Sequence, residues 1–126
     1  MEKSKYGNRK ATVDGITFDS RREARRYCEL KLMLKAKEIT DLQLQVKFEL
    51  IPEQREPATE RYKAGKNKGE FKPGKLIEKP IVYIADFVYK QNGEMIVEDA
   101  KGLKTREYII KRKLMRYIHG ISIKEV

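Results

Sequence analysis

Between residues 42 and 50 the chain alternates strictly between apolar and polar side chains. Because successive side chains of a β-strand point to opposite faces, this period of two predicts a strand with one buried face. The apolar positions are Leu42, Leu44, Val46, Phe48 and Leu50. We expect Gln43, Gln45, Lys47 and Glu49 to point the other way.

Two longer apolar runs, within residues 81–102, are joined by the pair Asn92-Gly93. Both central residues of a tight β-hairpin turn need a positive φ, which Asn and Gly tolerate better than other residues. The sequence therefore predicts a hairpin in which Gln91 pairs with Glu94. Its first strand is apolar at nearly every position, a pattern typical of a strand covered on both faces.

The register of this hairpin places two acids directly opposite each other, Asp86 on the first strand and Asp99 on the second. We expect Lys101 on the same face as Asp99, and Glu98 on the opposite face. Each acid alone could be an ordinary charge at a strand end. Opposed like charges destabilise a sheet, however, and a shared divalent cation would explain the pair. Oxygen ligands favour a hard cation such as Mg²⁺, with Mn²⁺ as the alternative.

A helical period predicts a first helix over residues 19–37. One of its stripes contains Glu23, Tyr27, Leu30 and Leu34. Glu23 has two interpretations, which the sequence leaves open. It completes a capping box that begins at Ser20, and it is also an acid on the core-facing side of the helix, where it would be a third carboxylate for the cation.

A second helix is predicted from residue 105 to residue 119, with Thr105 as its N-cap and Gly120 as its end. One side collects the apolar residues Leu103, Ile110, Leu114, Tyr117 and Ile118. Another side collects Lys104, Tyr108, Lys111, Arg112 and Met115. With a small hairpin over residues 11–18 and a short strand over residues 121–126, the main order is α-β-β-β-α-β. That order predicts an α/β sandwich with a central sheet.

Residues 52–80 are rich in Pro, Gly and Lys, and have few apolar side chains. Within residues 54–80 there are eight Lys or Arg against four Glu. Two interpretations fit this composition: a solvated excursion between two strands, and a basic flap that contacts nucleic-acid phosphates. Residues 1–10 are also basic, and we expect them to form a flexible arm.

The whole chain, 126 residues with 29 Lys or Arg against 19 Asp or Glu, has the size of a single domain and a net charge of +10. Such a charge favours nucleic acid as a partner. A membrane is not expected, because no apolar run approaches the length of a bilayer span. The single cysteine excludes an intrachain disulfide, so we expect a cytoplasmic protein. The cations expected to contact phosphates are Lys104, Arg106, Lys111, Arg112, Arg22, Lys66 and Lys68.

Four longer motifs together resemble the PD-(D/E)XK nuclease superfamily. They are F-D-S-x-x-E-A-x-R-Y (18–27), Y-I-A-D-F (83–87), V-E-D-A-K-G (97–102) and K-R-K-L (111–114). The chain is also similar to a family of small phage and prophage proteins labelled as a domain of unknown function. One departure is Ala85, which stands where the superfamily pattern has proline.

This resemblance implies a restriction-endonuclease-like αβββαβ core, with a central mixed sheet flanked by helices. It also implies a Mg²⁺-dependent phosphodiesterase. By position, Asp86 and Asp99 would hold the metal, Glu23 would be the acid of the first helix, and Lys101 would be the catalytic lysine. The implied function is a DNA endonuclease of phage recombination, replication or repair in the host cytoplasm, with branched DNA such as a Holliday junction as a candidate substrate.

Two alternatives stay open from the sequence. The same fold could serve as a non-catalytic module that binds DNA or a replication partner, and a nuclease acting on RNA would share these sequence features. Cutting both arms of a junction would need two active sites. A symmetric homodimer, and contacts with phage replication or recombination proteins, are therefore further expectations.

Overall fold

The computed structural model describes residues 9–126, so most of the predicted arm at residues 1–10 lies outside the described residues. The elements follow in the order β1 (Ala11–Val13), β2 (Ile16–Phe18), α1 (Arg21–Lys35), β3 (Thr40–Ile51), β4 (Gln54–Arg55), β5 (Leu76–Glu78), β6 (Ile81–Gln91), β7 (Glu94–Asp99), α2 (Arg106–His119) and β8 (Lys124–Glu125). The predicted order of helices and main strands is confirmed. No helix within residues 9–126 is long and apolar enough to cross a membrane.

Four strands form the central sheet, in the order β3-β6-β7-β8. β6 is antiparallel to both of its neighbours, whereas β8 lies parallel to β7, so the sheet is mixed. On one face, Leu30 of α1 packs with Phe87 and Tyr89. On the other face, Tyr108 and Met115 of α2 pack against the sheet. The predicted α/β class, with a central mixed sheet between two helices, is therefore confirmed.

The hairpin of β6 and β7 has the predicted register. Asn92 and Gly93 form its turn with φ values of 52° and 80°, as the turn requires. Gln91 pairs with Glu94, and the ladder continues as far as Phe87 and Glu98. It therefore ends one pair before Asp86 and Asp99. The two acids lie where the regular hydrogen bonding of the hairpin stops.

The strict alternation predicted for β3 is interrupted at Gln45, so the prediction of one continuous apolar face is wrong. Leu42 and Leu44 pack on the α1 side of the sheet, whereas Val46 and Phe48 pack on the α2 side. Gln45 has a φ of 53°, and this left-handed residue changes the face to which the following side chains point.

The neighbouring strand β6 makes the same change at its own position 86. Ala85 packs with α2, but Phe87, two residues later, packs with α1. Leu44 pairs with Phe87 and Val46 pairs with Ala85. Asp86 therefore lies opposite Gln45, at the point where both strands change faces.

Both helices begin where their N-cap residues predict, and α2 also ends where Gly120 predicts, whereas α1 ends at Lys35, before the predicted end at residue 37. The Ser20 hydroxyl accepts a hydrogen bond from the N–H of Glu23 at 3.1 Å, and the Thr105 hydroxyl accepts one from the N–H of Tyr108 at 3.1 Å. α2 ends at Gly120, which adopts a φ of 67°. A glycine meets this left-handed conformation without the steric cost of a β-carbon.

The side of α2 that packs on the sheet is not its more apolar side. Tyr108 and Met115 are buried and Leu114 packs against them, whereas Ile110, Tyr117 and Ile118 are 58%, 88% and 43% exposed. Burial of Tyr108 is compatible with its polar end, because its hydroxyl donates a hydrogen bond to Glu125 on β8 at 2.7 Å.

Residues 52–80 form a two-stranded ribbon that extends beyond β3 and β6, which we call the ribbon arm. β4 pairs with β5, and a further bridge joins Arg61 to Phe71. The Arg61 guanidinium lies 4.0 Å from the centre of the Phe71 ring, a cation–π contact that joins the two sides. Gly74 approaches Glu56 so closely that a β-carbon would come within 1.8 Å of the Glu56 carbonyl oxygen. Residues 52–80 thus form a β-hairpin, and the contact of this hairpin with nucleic acid stays a prediction.

A buried ion pair joins α1 to β7. Arg26 donates two hydrogen bonds to Glu98, from Nε at 2.8 Å and from Nη2 at 2.7 Å. The Glu98 side chain is fully buried, and the Tyr89 hydroxyl donates to the same carboxylate. Glu98 therefore lies on the face away from Asp99, as predicted. Because α1 also carries Glu23, this pair sets the position of that acid relative to the sheet.

We expect Arg26→Ala to lower the free energy of unfolding by about 3 kcal/mol, because it leaves the buried Glu98 carboxylate without its guanidinium. Urea denaturation measures the change.

Arg25→Ala is the matched control, since Arg25 is the exposed neighbour on the same helix turn. We expect it to change the stability by less than about 0.5 kcal/mol. Equal losses in the two variants would show that the ion pair does not support the contact between α1 and β7.

Candidate active site

Three acids from three different elements approach each other beside the face change of the sheet. Glu23 lies in the first turn of α1, Asp86 lies in β6, and Asp99 is the last residue of β7. The backbone N–H of Ala100 donates to Asp86 Oδ2 at 2.9 Å. Gln45 Nε2 donates to Glu23 Oε1 at 3.1 Å and reaches Asp86 Oδ1 at 3.4 Å. A single side chain from β3 therefore connects the acid of the helix to the acid of the sheet.

Asp99 is 2% exposed, and its two oxygens have different surroundings. Oδ2 accepts a hydrogen bond from the Tyr83 hydroxyl at 2.5 Å. Oδ1 is buried and accepts no hydrogen bond, although Lys101 Nζ lies 3.3 Å away. A buried carboxylate oxygen without a donor is costly, because it has lost its water and gained no hydrogen bond.

Lys101 lies at the border between this buried region and solvent. Its side chain is 28% exposed, and its Nζ is 4.6 Å from the centre of the Tyr108 ring. Lys101, Asp99 and Lys111 line one cleft of about 300 Å³ between β6 and α2. Lys101 therefore lies beside Asp99, as the sequence predicts.

Burial and mutual repulsion disfavour the charged forms of two of these acids. The pKa of Glu23 rises from 4.5 to about 7, first because of burial and then because of the nearby charges of Asp19 and Asp99. The pKa of Asp86 rises well above its ordinary value, again mainly through burial and then through repulsion by Asp99 and Glu23. The repulsion among these carboxylates, unlike their burial, would be relieved by a bound cation.

The residues present fit a hard divalent cation held by Asp86 and Asp99. Among residues 9–126, no three His, Cys, Asp or Glu side chains lie close enough together to hold a metal ion as they stand. Mg²⁺, however, uses only one or two protein carboxylates and completes its shell with water and phosphate oxygens. Asp99 Oδ1 has no hydrogen-bond donor, and the charge of Asp99 contributes to the raised pKa of Asp86, so these two acids are the pair that such a cation would use.

The structure shows Glu23 at the helix cap, while its role as a third carboxylate for the cation stays a prediction. Its backbone N–H is capped by Ser20, and the backbone N–H of Asp19 partly offsets the rise in the pKa of its carboxyl group. The carboxylate also accepts the hydrogen bond from Gln45 that connects it to Asp86. Glu23 is therefore at the edge of the site, held at the helix start and oriented towards the other acids.

Gln45 and Tyr83 are site residues that the sequence did not indicate. The alternation of β3 predicts that Gln45 points away from the core like the other polar residues of the strand. No sequence pattern predicts a positive φ at a glutamine. Tyr83 lies within an apolar run, where its hydroxyl gives no signal of a partner. The contacts of Gln45 with Glu23 and Asp86, and of Tyr83 with Asp99, join residues that are far apart in the sequence, so they depend on tertiary packing.

The cations predicted to contact phosphates fall into separate groups. Near the site, Arg22 Nε lies 3.9 Å from the position that a β-carbon on Gly102 would take, and Lys111 lines the cleft of Asp99 while pairing with Glu107 at 3.1 Å. Lys104 and Arg112 each form an ion pair with Glu125 at 3.2 Å, which partly neutralises them.

The remaining predicted cations stand apart from the acids. Arg106 is exposed at the first position of α2. Lys66 and Lys68 are exposed at the tip of the ribbon arm, and no ion pair is formed by either of them within the described part of the chain.

We expect the metal-free protein to lose stability as the pH rises from 4.5 towards 7. The folded state holds the Glu23 proton more tightly than the unfolded chain does, because its pKa is raised from 4.5 to about 7. This contribution is complete below the unfolded pKa and is lost as the pH passes the folded pKa. Asp86 acts in the same direction. Thermal melts in EDTA across this range measure the loss.

Glu23→Gln should flatten the pH dependence, because the amide does not titrate. Glu94→Gln, at an exposed position of β7, is the control and should leave the dependence unchanged. If the Glu23→Gln and wild-type curves run parallel, the pKa of Glu23 is not raised in the folded protein.

No curated protein and no solved structure matches this chain. A family described as "Protein of unknown function (DUF1064)" matches residues 3–123. Since this match covers nearly the whole sequence, the chain belongs to the DUF1064 family of proteins of unknown function.

Proposed function

We propose that this protein is a Mg²⁺- or Mn²⁺-dependent nuclease that hydrolyses phosphodiester bonds of DNA. The observation that carries the proposal is the placement of Lys101 Nζ 3.3 Å from Asp99 Oδ1, beside Asp86 and at the border of a solvent-accessible cleft. The resemblance of the sequence to the PD-(D/E)XK nucleases supports the same residues in the same roles.

Different hydrogen-bond donors hold the carboxylates of Asp86 and Asp99, and this arrangement suits a shared cation. Asp99 is held by the Tyr83 hydroxyl through one oxygen, so the other stays available as a ligand. Asp86 is oriented by the Ala100 N–H through Oδ2. When bound, a divalent cation would polarise the phosphate and lower the pKa of a bound water.

Lys101 is suited to act on the attacking water or on the phosphate. Its ammonium group is anchored by Asp99 on one side and by the Tyr108 ring on the other, so Nζ stays near the acids. From there it can donate hydrogen bonds to a water or stabilise negative charge that develops on the phosphate. A module that only binds DNA would gain nothing from two mutually repelling acids at this place.

The charge of the chain supports a polyanionic substrate. The net charge is +10 although three acids gather at the site, so the cations lie mainly elsewhere on the protein. Arg22 and Lys111 lie close enough to the site to contact phosphates next to the one that is cut. The exposed lysines of the ribbon arm would contact the backbone farther along the nucleic acid.

We expect Asp99→Ala to abolish cleavage and Lys101→Ala to slow it about 10²–10⁴-fold, because the first removes a ligand and the second removes a group that assists proton transfer. The assay incubates the protein with branched, nicked, single-stranded and duplex DNA, and with matched RNA, in Mg²⁺, Mn²⁺ or EDTA. Glu94→Ala and Lys113→Ala are exposed controls that should cut at the wild-type rate.

Cleavage that survives both site substitutions would exclude this site as the active site. Binding of DNA in EDTA should persist in Lys101→Ala, which separates catalysis from affinity. If the wild-type protein binds DNA but cuts nothing with either metal, the non-catalytic binding module becomes the better explanation. Preferential cutting of RNA would reassign the substrate.

We expect Lys66→Ala combined with Lys68→Ala to weaken DNA binding for all sequences alike. Each phosphate contact that is lost lowers the number of counterions released on binding. The slope of log K against log salt should therefore become shallower by about 2. Fluorescence anisotropy at several salt concentrations, in EDTA, gives this slope.

Lys31→Ala combined with Lys35→Ala is the control with the same change in net charge, on exposed positions of α1. This variant should keep the wild-type slope. Equal slopes in the two double variants would mean that the ribbon arm acts only through overall charge, or not at all.

A further inference from the structure

We infer that the Gln45 amide covers Asp86 Oδ1, an oxygen that the proposed cation would need, and that metal binding must displace this amide. The inference rests on the proposed function, because it concerns the same metal site. Gln45 Nε2 donates to Glu23 Oε1 at 3.1 Å and reaches Asp86 Oδ1 at 3.4 Å. One amide group thus bridges two carboxylates that otherwise repel each other.

The backbone of β3 is shaped to present this side chain. Gln45 has a φ of 53°, which a residue with a β-carbon rarely adopts within a strand. Regular pairing resumes on both sides, with Leu44 opposite Phe87 and Val46 opposite Ala85. Between Leu44 and Val46 the distortion is therefore limited to Gln45, and the other positive φ of β3, at Asp41, and its register shifts lie nearer the strand ends. The conformation of Gln45 changes the face of the side chains that follow and also brings its amide to the two carboxylates.

The amide is a weak substitute for a cation. Its N–H groups can donate to both carboxylates, but the group carries no net charge and balances little of their repulsion. Gln45 is exposed, whereas Glu23 is buried and Asp86 is partly buried. The side chain can therefore turn towards solvent without disturbing the core, and the carboxylates would then be open to a metal ion.

Displacement and ligation make opposite predictions for a truncated side chain. If the amide competes with the cation, removing it strengthens metal binding and weakens the metal-free protein. If the amide oxygen is instead a ligand, removing it weakens metal binding. The sign of the change in metal affinity therefore distinguishes displacement from ligation.

The test measures Mn²⁺ binding to the full chain by calorimetry, and the melting temperature with and without Mn²⁺. We expect Gln45→Ala to bind Mn²⁺ about fivefold more tightly than wild type, the factor that corresponds to one hydrogen bond of ordinary net strength. Its melting temperature without metal should fall, and the increase caused by Mn²⁺ should be larger than in wild type.

Gln43→Ala is the matched control, because Gln43 is an exposed glutamine two residues earlier on the same strand. It should leave the Mn²⁺ affinity unchanged. Gln45→Gly is the second variant, since glycine accepts the positive φ and keeps the strand foldable if the alanine variant does not fold. It should also bind Mn²⁺ more tightly.

Unchanged or weaker Mn²⁺ binding in the Gln45 variants, with wild-type binding that Asp99→Ala abolishes, would overturn the inference and leave the proposed metal site intact. Absence of Mn²⁺ binding in wild type and in all variants would overturn the metal site and the inference together. The two failures are therefore distinguishable.

Discussion

Repulsion between carboxylates is the constraint on which the rest of this site depends. Glu23, Asp86 and Asp99 come together where the surroundings are largely buried, and burial makes their charged forms costly. Three hydrogen-bond donors contact these acids: the Gln45 amide, the Ala100 N–H and the Tyr83 hydroxyl. None of them carries a net charge, whereas the Lys101 ammonium lies 3.3 Å from Asp99 Oδ1 as an ion pair.

The contrast between two neighbouring acids shows what makes this arrangement unusual. Glu98 is completely buried, but Arg26 and Tyr89 satisfy its carboxylate on the α1 side of the sheet. Asp99, the next residue, points to the other face and keeps one oxygen without a donor. Alternation along β7 thus separates an acid that contacts α1 from an acid that keeps one oxygen without a hydrogen-bond donor. Both depend on the same register of the hairpin.

The features that depend on residues close together in the chain could be predicted from the amino-acid sequence. Asn92-Gly93 set the turn, and the turn set which residues of β6 and β7 lie opposite each other. A count along the chain could therefore predict Asp86 opposite Asp99 and Lys101 on their face. In the structure Lys101 lies beside Asp99, and the ladder stops at Phe87 and Glu98, one pair before the two acids. The N-caps of both helices and the end of α2 were predictable for the same reason, because a hydroxyl or a glycine acts on the backbone of its own turn.

Which face of β3, β6 and α2 is buried depends on the packing of elements that are distant in the sequence. An apolar strand covered by a helix on each side buries its residues in either orientation, so hydrophobicity does not reveal the change of face at Gln45 and Asp86. The same holds for α2. Tyr108 is buried and its hydroxyl donates a hydrogen bond to Glu125 on β8, while Ile110 and Tyr117 stay exposed. Gln45 reaches Glu23 and Asp86 through a backbone conformation that its own residue type disfavours, and such strain arises only from the packing of distant elements.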